Sequence, residues 1–223
     1  AMAAEIRIIL ADDHKIVREG LRNLLERGGA CRIVAECADG LSAVERTIEL
    51  SPDIVIMDIT MPGLNGIEAT RKISDLKLGT RVIILSMHED RRFVTETLKA
   101  GASAYLLKDS AFQDLQKALS CVLSGTVYLS PKIASIVVSE FIRDSSPGQE
   151  RPSPGSPFTS LRPREREVLQ LLAEGKSAKE AADILEISLK TVETHRQSIM
   201  RRLGLRSIAE LTRYAIREGI IQP

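Results

Sequence analysis

Five groups able to do chemistry stand where short apolar runs end. Asp12 and Asp13 follow IRIILA, Asp58 closes IVIMD, Ser86 closes RVIILS and Lys108 closes AYLLK. A carboxylate at the end of a buried run is costly unless a cation or hydrogen bonds surround it. Three carboxylates brought together repel one another and persist only around positive charge. Their hard oxygen atoms suit Mg²⁺, which takes one or two carboxylates, a carbonyl and waters. Lys108 would add a second positive group and Ser86 a hydroxyl donor. Such a set can neutralise and grip a phosphoryl group carried on one of the carboxylates.

The elements that must bring these groups together are legible in the same stretch. The apolar runs Ile6–Leu10, Arg32–Cys37, Ile54–Asp58, Arg81–Ser86 and Ala104–Lys108 are rich in Ile and Val and do not alternate with polar residues. Strands covered on both faces have that pattern. Between them lie amphipathic stretches. In KIVREGLRNLLERGG, Val17, Leu21, Leu24 and Leu25 share one face, and Gly28 follows as a stop. Others begin near Leu41, Gly66, Glu89 and Asp114. Five strands alternating with five helices predict a doubly wound, five-stranded parallel sheet of the α/β class. In such sheets ligands gather at the carboxyl ends of the strands, where all five groups lie. A further helix is expected from about Pro131 to Arg143.

This part resembles the receiver domain of two-component response regulators, a flavodoxin-like fold, over roughly Ile6 to Ser124. The resemblance rests on the acid pair after strand one, D-x-x-M-P-G-x-N-G after strand three, the Ser after strand four and Y-L-L-K on strand five. It implies that Asp58 is the phosphoacceptor. Asp13, Asp58 and the main-chain carbonyl of Thr60 would hold Mg²⁺, with Asp12 assisting through water. Lys108 would pair with the phosphoryl oxygens. Ser86 would bond the phosphoryl group and move toward it, and Tyr105 would rotate inward as the aromatic switch. Met87 stands where many receivers have Ala, and a bulky side chain there would crowd the acyl phosphate against water. His14 and His88 flank the site and read as loop residues.

The chain has 223 residues, 43% hydrophobic, 27% charged and 3% aromatic. These values are those of a globular protein with aliphatic cores. No apolar run approaches the ~20 residues a membrane helix needs, and Cys31, Cys37 and Cys121 form no C-x-x-C, which reads as reduced cysteines in the cytoplasm. From Asp144 to Pro157 the chain holds Pro147, Pro152, Pro154 and Pro157 among Ser and Gly, with almost nothing apolar, and reads as a linker. The expected organisation is therefore a first domain over 5–125, a connecting helix and linker over 126–158, and a second domain over 159–223. From Thr159 onward 12 Lys/Arg face 9 Asp/Glu, a net +3, whereas the preceding part carries −2. A basic end behind an acidic front suits nucleic acid at the C-terminus.

Four helices are expected in the second domain. Pro163 opens the first, whose apolar face is Val168, Leu169 and Leu172, and Gly175 ends it. Ser177 with Glu180, and Ser207 with Glu210, form capping-box patterns. Ser188 caps the third helix, which ends at Gly204. A short helix, a tight turn and a longer polar helix make a helix-turn-helix. On the third helix Val192, Ile199 and Leu203 must face the core, while Lys190, Glu193, Thr194, Gln197 and Arg201 lie opposite and Thr191, His195 and Arg202 lie on a flank.

From Leu161 to Ile221 the chain resembles the LuxR/FixJ-type DNA-binding domain, through PREREVL, EGKSAKEAA, KTVETHRQSIMRRLG and AELTRYAI. The resemblance implies a recognition helix in the major groove of double-stranded DNA. Lys190, Thr191, His195 and Arg202 would hold phosphates, Glu193, Thr194 and Gln197 would reach bases, and Arg201 lies on the same reading face. Glu193 replaces a frequent Lys and would either accept from cytosine N4 or balance a nearby Arg. Leu211, Tyr214 and Ala215 on the fourth helix would pair two DNA-bound copies or fill the core. The combined expectation is a phosphorylation-activated transcription regulator, served by a cognate histidine kinase and acting as a homodimer on DNA. Two other readings compete with it. A haloacid-dehalogenase-like phosphatase needs a second Asp two residues after the nucleophile, where this chain has Thr60. A regulator with a phosphate-independent dimerisation or ligand module would have no use for the complete set of Asp12, Asp13, Asp58, Ser86 and Lys108.

Overall fold

The computed structural model describes residues 5–109, 111–144 and 160–222. The stretch read as a linker lies, from Ser145 on, outside the described residues. In the first domain β1 (Ile6–Ala11), β2 (Cys31–Cys37), β3 (Ile54–Asp58), β4 (Arg81–Ser86), β5 (Ala104–Leu107) and β6 (Tyr128–Leu129) form one parallel sheet in the order β2-β1-β3-β4-β5-β6. Side chains alternate across it. Ile9, Ala11, Val55, Met57, Ile84 and Tyr105 enter one apolar cluster, and Ile8, Leu10, Ile54, Ile56, Leu85 and Leu106 enter the other. The helices α1 (Lys15–Glu26) and α5 (Ala111–Leu123) cover the second cluster; α2 (Gly40–Leu50), α3 (Gly66–Asp75), α4 (Arg91–Lys99) and α6 (Pro131–Asp144) cover the first.

The sheet has six strands, one more than expected. Its last strand is only two residues long, too short to leave a periodic signal, and is fixed by Tyr128 N–H donating to the Ser103 carbonyl and Ser130 N–H to that of Tyr105. The first domain therefore runs past the expected boundary at residue 125. The order reverses at β1, whose neighbours β2 and β3 lead away in opposite directions. That is the switch point at which a crevice opens beyond the carboxyl ends of the strands.

The second domain packs α7 (Pro163–Ala173), α8 (Ala178–Leu185), α9 (Leu189–Leu203) and α10 (Ile208–Arg217) around Val168, Leu169, Leu172, Leu185, Val192, Ile199 and Leu211. Ser177, Ser188 and Ser207 each accept from a backbone N–H of the first turn, and Gly204 ends α9 at a positive φ of 66°. Ser177 and Glu180 complete the reciprocal box, whereas Glu210 reaches back to Arg206 N–H. Every residue of α7 from Glu165 to Ala173 is buried. A helix buried all round is covered on two sides. One side of α7 faces its own domain, and the other faces the first. No helix among the described residues is long and apolar enough to cross a membrane.

Candidate functional site

The strand ends converge as expected. Asp58 is 5% exposed. Its Oδ1 accepts from Ile59 N–H at 2.7 Å, and its Oδ2 accepts from Lys108 Nζ at 2.8 Å. The same ammonium lies 2.7 Å from Asp12 Oδ2. His14 Nδ1 stands 2.8 Å from Asp13 Oδ1 and 3.2 Å from Asp12 Oδ1. One ligand atom from each of Asp12, Asp13, His14 and Asp58 falls within 4.8 Å of all the others. Asp13 Oδ1 is buried with no hydrogen-bond donor of good geometry, and Asp12 Oδ2 has only the Lys108 ion pair. This acidic cluster is one that could hold a metal ion.

Burial pushes the Asp58 carboxyl up to about 6, against the pull of Lys108. Burial also opposes the Lys108 charge, but Asp58 and Asp12 outweigh it and hold the ammonium above its ordinary value. The geometry at Asp58 depends on a missing side chain. Gly66 opens α3 directly against the end of β3, with its N–H on the Ile59 carbonyl at 2.7 Å. A Cβ there would lie 1.9 Å from the Asp58 carbonyl oxygen. Asn65 caps α3, its Oδ1 accepting from Ile67 and Glu68 N–H.

Ser86 is fully buried, and its Oγ accepts from His88 N–H at 2.9 Å. Tyr105 is also fully buried, and its hydroxyl donates to the His88 carbonyl at 2.8 Å. The ring points inward: it sits in the cluster shared with Phe93, Val94 and Ile133, and α6 helps to enclose it. Burial raises its phenol well above the ordinary value. His88, which reads from sequence as a loop residue, does more. Its Nε2 lies 3.1 Å from Thr60 Oγ1, and its ring stacks on Phe93 at 4.1 Å. Burial lowers its pKa.

The helical domain closes over this site. A cavity of about 250 Å³ is lined below by His14, Asp58, Thr60, Met87, His88 and Lys108, and above by Ile216, Gly219, Ile221 and Gln222. Its neighbour, about 430 Å³, runs between Asp13, Thr60, Met61 and Pro62 on one side and Ala173, Glu174, Thr212 and Ile216 on the other. Polar contacts hold the two domains together. Gln170, fully buried, accepts from Asn65 N–H at 2.9 Å and Asn65 Nδ2 at 3.0 Å, and donates to the Met61 carbonyl at 2.8 Å. Glu174 accepts from Gly63 N–H at 3.0 Å, and Arg166 Nε donates to Glu68 Oε1 at 2.6 Å. Lys72 pairs with Glu167 at 3.2 Å, and Arg92 with Glu218 at 3.1 Å. Sequence reasoning missed all of these contacts. Arg166, Gln170 and Glu174 recur every four residues, but that spacing also describes a solvated helix face.

On α9 the expected core face is confirmed in Val192 and Ile199, both fully buried. Lys190, Thr191, Thr194, Gln197, Arg201 and Arg202 are exposed, and Glu193 and His195 are partly so. Glu193 pairs with Arg196 at 2.8 Å, so it balances a neighbouring Arg. Arg202 is tied to the Ser160 carbonyl at 3.2 Å. Leu211, Tyr214 and Ala215, candidates for dimer contacts, are buried in their own domain. The apolar spacing on α10 serves the core, and the helix turns Thr212 and Ile216 toward the first domain.

A parallel sheet with an acid pocket at its switch point, followed by a helix-turn-helix, defines a two-part regulator. Residues 8–120 match the response regulator receiver domain, and residues 159–215 match the bacterial regulatory proteins of the luxR family. The chain belongs to the response regulators that carry a LuxR-type DNA-binding domain. It is 37% identical over 218 residues to the oxygen regulatory protein NreC of Staphylococcus aureus, covering 97% of this chain and all of that one. Among solved structures it is similar to a LuxR-family two-component response regulator from Aurantimonas sp. SI85-9A1, with 42% identity, a TM-score of 0.60 and coverage of 62% of this chain and 99% of that one. It is also similar to the RcsB response regulator of Salmonella typhimurium, studied for conformational dynamism in DNA interaction, with 29% identity, a TM-score of 0.58 and coverage of 94% and 97%.

Proposed function

We infer that Asp58 accepts a phosphoryl group from a histidine kinase and that the acyl phosphate changes how the helical domain engages DNA. The observation that carries this is the buried carboxylate at the end of β3, held by Lys108 and flanked by Asp12 and Asp13. In the transfer the donor's phosphorus–nitrogen bond breaks and an oxygen of Asp58 takes the phosphorus, leaving the imidazole to take up a proton. Lys108 is placed to follow the phosphoryl oxygens, since its ammonium already spans two acids. Asp12, Asp13, Asp58 and the Thr60 carbonyl are the residues that would hold Mg²⁺, which supplies charge neutralisation to the dianionic group when bound.

The exposed face of α9 suits the major groove. Lys190, Thr191, His195, Arg201 and Arg202 would hold phosphates, and Thr194 and Gln197 would reach base edges. RcsB, a relative studied for its interaction with DNA, supports that reading. A homodimer on an inverted repeat, in the cytoplasm, completes the proposal. The test is intact mass after acetyl phosphate with Mg²⁺, followed by a DNA-binding titration. Wild type should gain one phosphoryl mass and bind more tightly, and Asp58→Ala should do neither. A mass gain retained in Asp58→Ala would assign the acceptor elsewhere.

A further inference from the structure

We propose that the closed packing makes the acceptor pocket selective for donor size: a small phosphoramidate or acyl phosphate passes, and a protein-borne phosphohistidine does not until the helical domain lifts away. The inference rests on the reading of Asp58 as acceptor. The segment Ile216–Gln222, beyond the reading helix, forms the roof over Asp58 and Lys108. The space beneath it is about 250 Å³. A phosphoryl group is of that scale, whereas a helix carrying the donor histidine, about 10–12 Å across with its side chains, is not.

The roof is fixed at two places. On one side Gln170 has all of its amide's main bonding directions satisfied, by Asn65, Met61 and Glu174. On the other, Glu218 pairs with Arg92, and Gly219 sits over His88 and Phe93 so closely that a Cβ would be 3.0 Å from each ring. Meanwhile Lys190, Thr194, Gln197 and Arg201 stay exposed. The surface that closure covers is the acceptor pocket, and the reading face is left open. Closure therefore acts first on who can phosphorylate the protein.

Size is separated from chemistry by presenting one leaving group in two forms to the full-length chain with Mg²⁺. The first donor is phosphoimidazole. The second is a helical peptide of about 20 residues, roughly 30 Å long, carrying a phosphorylated histidine. Labelling rates are compared for wild type, Gln170→Ala and Glu218→Gln. If the open form is a tenth or less of the population, opening raises the peptide rate about tenfold or more, while the phosphoimidazole rate changes less than about twofold. Circular dichroism shows that each variant is folded, and Glu218→Gln, which keeps the side chain's shape, serves if Gln170→Ala is not. Equal rates from the peptide in wild type and both variants overturn the gate, as does an equal rise with both donors. Absence of label from phosphoimidazole on wild type overturns the acceptor reading itself, and the gate with it.

Discussion

Replacing Glu68 by Ala should open the two domains rather than unfold either. Glu68 lies on the first domain and Arg166 on the second; their side chains are 1% and 5% exposed and their charged atoms 2.6 Å apart. Removing one partner of a buried ion pair leaves the other charged and dehydrated, a loss of about 3–5 kcal/mol. Here the loss has a ceiling. Arg166 keeps the Leu161 carbonyl at 2.8 Å, and separation of the domains lets water reach the guanidinium. The closed form should thus weaken by about 3 kcal/mol, shifting the closed–open ratio by roughly a hundredfold. Two amides report it directly, because Gly63 N–H donates to Glu174 and Asn65 N–H to Gln170 across the interface. In hydrogen exchange, both should lose protection by about that factor, while amides of β3 and β4 should hardly change. Adding Arg166→Met removes the stranded charge and should restore part of the protection, as a double-mutant cycle would quantify. Unchanged protection at Gly63 and Asn65, with global stability lowered instead, would refute the reasoning.

Three further outcomes are expected. Burial raises the Asp58 carboxyl to about 6, so its proton is bound more tightly in the folded chain than in the unfolded one. Its contribution is present below the unfolded value near 4 and is lost as pH rises through about 6, an effect on the order of 2–3 kcal/mol. In chelator, calorimetry should find Asp58→Asn more stable than wild type at pH 7.5 and no more stable at about pH 3.5. Gly66→Ala would force α3 away from the Asp58 carbonyl, and acetyl phosphate labelling with Mg²⁺ should fall by at least about tenfold, a loss of roughly 1.4 kcal/mol in transition-state placement. Lys190→Ala should weaken DNA binding about equally on all sequences and reduce the slope of log K against log salt by about 1.

The acid pocket was legible because each of its residues ends a run whose lack of alternation marks a doubly covered strand. Topology then brings the ends together without further information. The roof was not legible. Arg166, Gln170 and Glu174 make a polar stripe on α7, and sequence cannot distinguish a stripe facing water from one facing another domain a hundred residues away. Gln170 in particular gains its partners from Met61 and Asn65. Leu211, Tyr214 and Ala215 illustrate the converse: an apolar stripe suits a core or a dimer equally, and only burial decides. The rotamer of Tyr105 depends on α6 and Phe93 closing around it, which its own segment cannot reveal. β6 escaped notice because two residues have no period.

The placement of Tyr105 also redirects how a phosphoryl signal would travel. A ring already buried has no inward swing left to drive a change on α4 and β5. The β3–α3 loop offers a shorter route: Asp58 and Asn65 lie on one continuous turn, and Asn65, Gly63 and Met61 bond the helical domain directly. Linkage makes such coupling reciprocal. If closure excludes a protein donor, docking of that donor must by the same free energy favour opening. The Glu68–Arg166 pair alone contributes about 3 kcal/mol to the closed form, so a phosphoryl group that released the clasp would have to fit the open form at least roughly a hundredfold better. Release would uncover Thr212 and Ile216 on α10 together with the outer face of α7. The side chains of the α9 reading face are exposed in the closed form as well. The surface that opening adds is therefore that of α7 and α10, and not the reading helix.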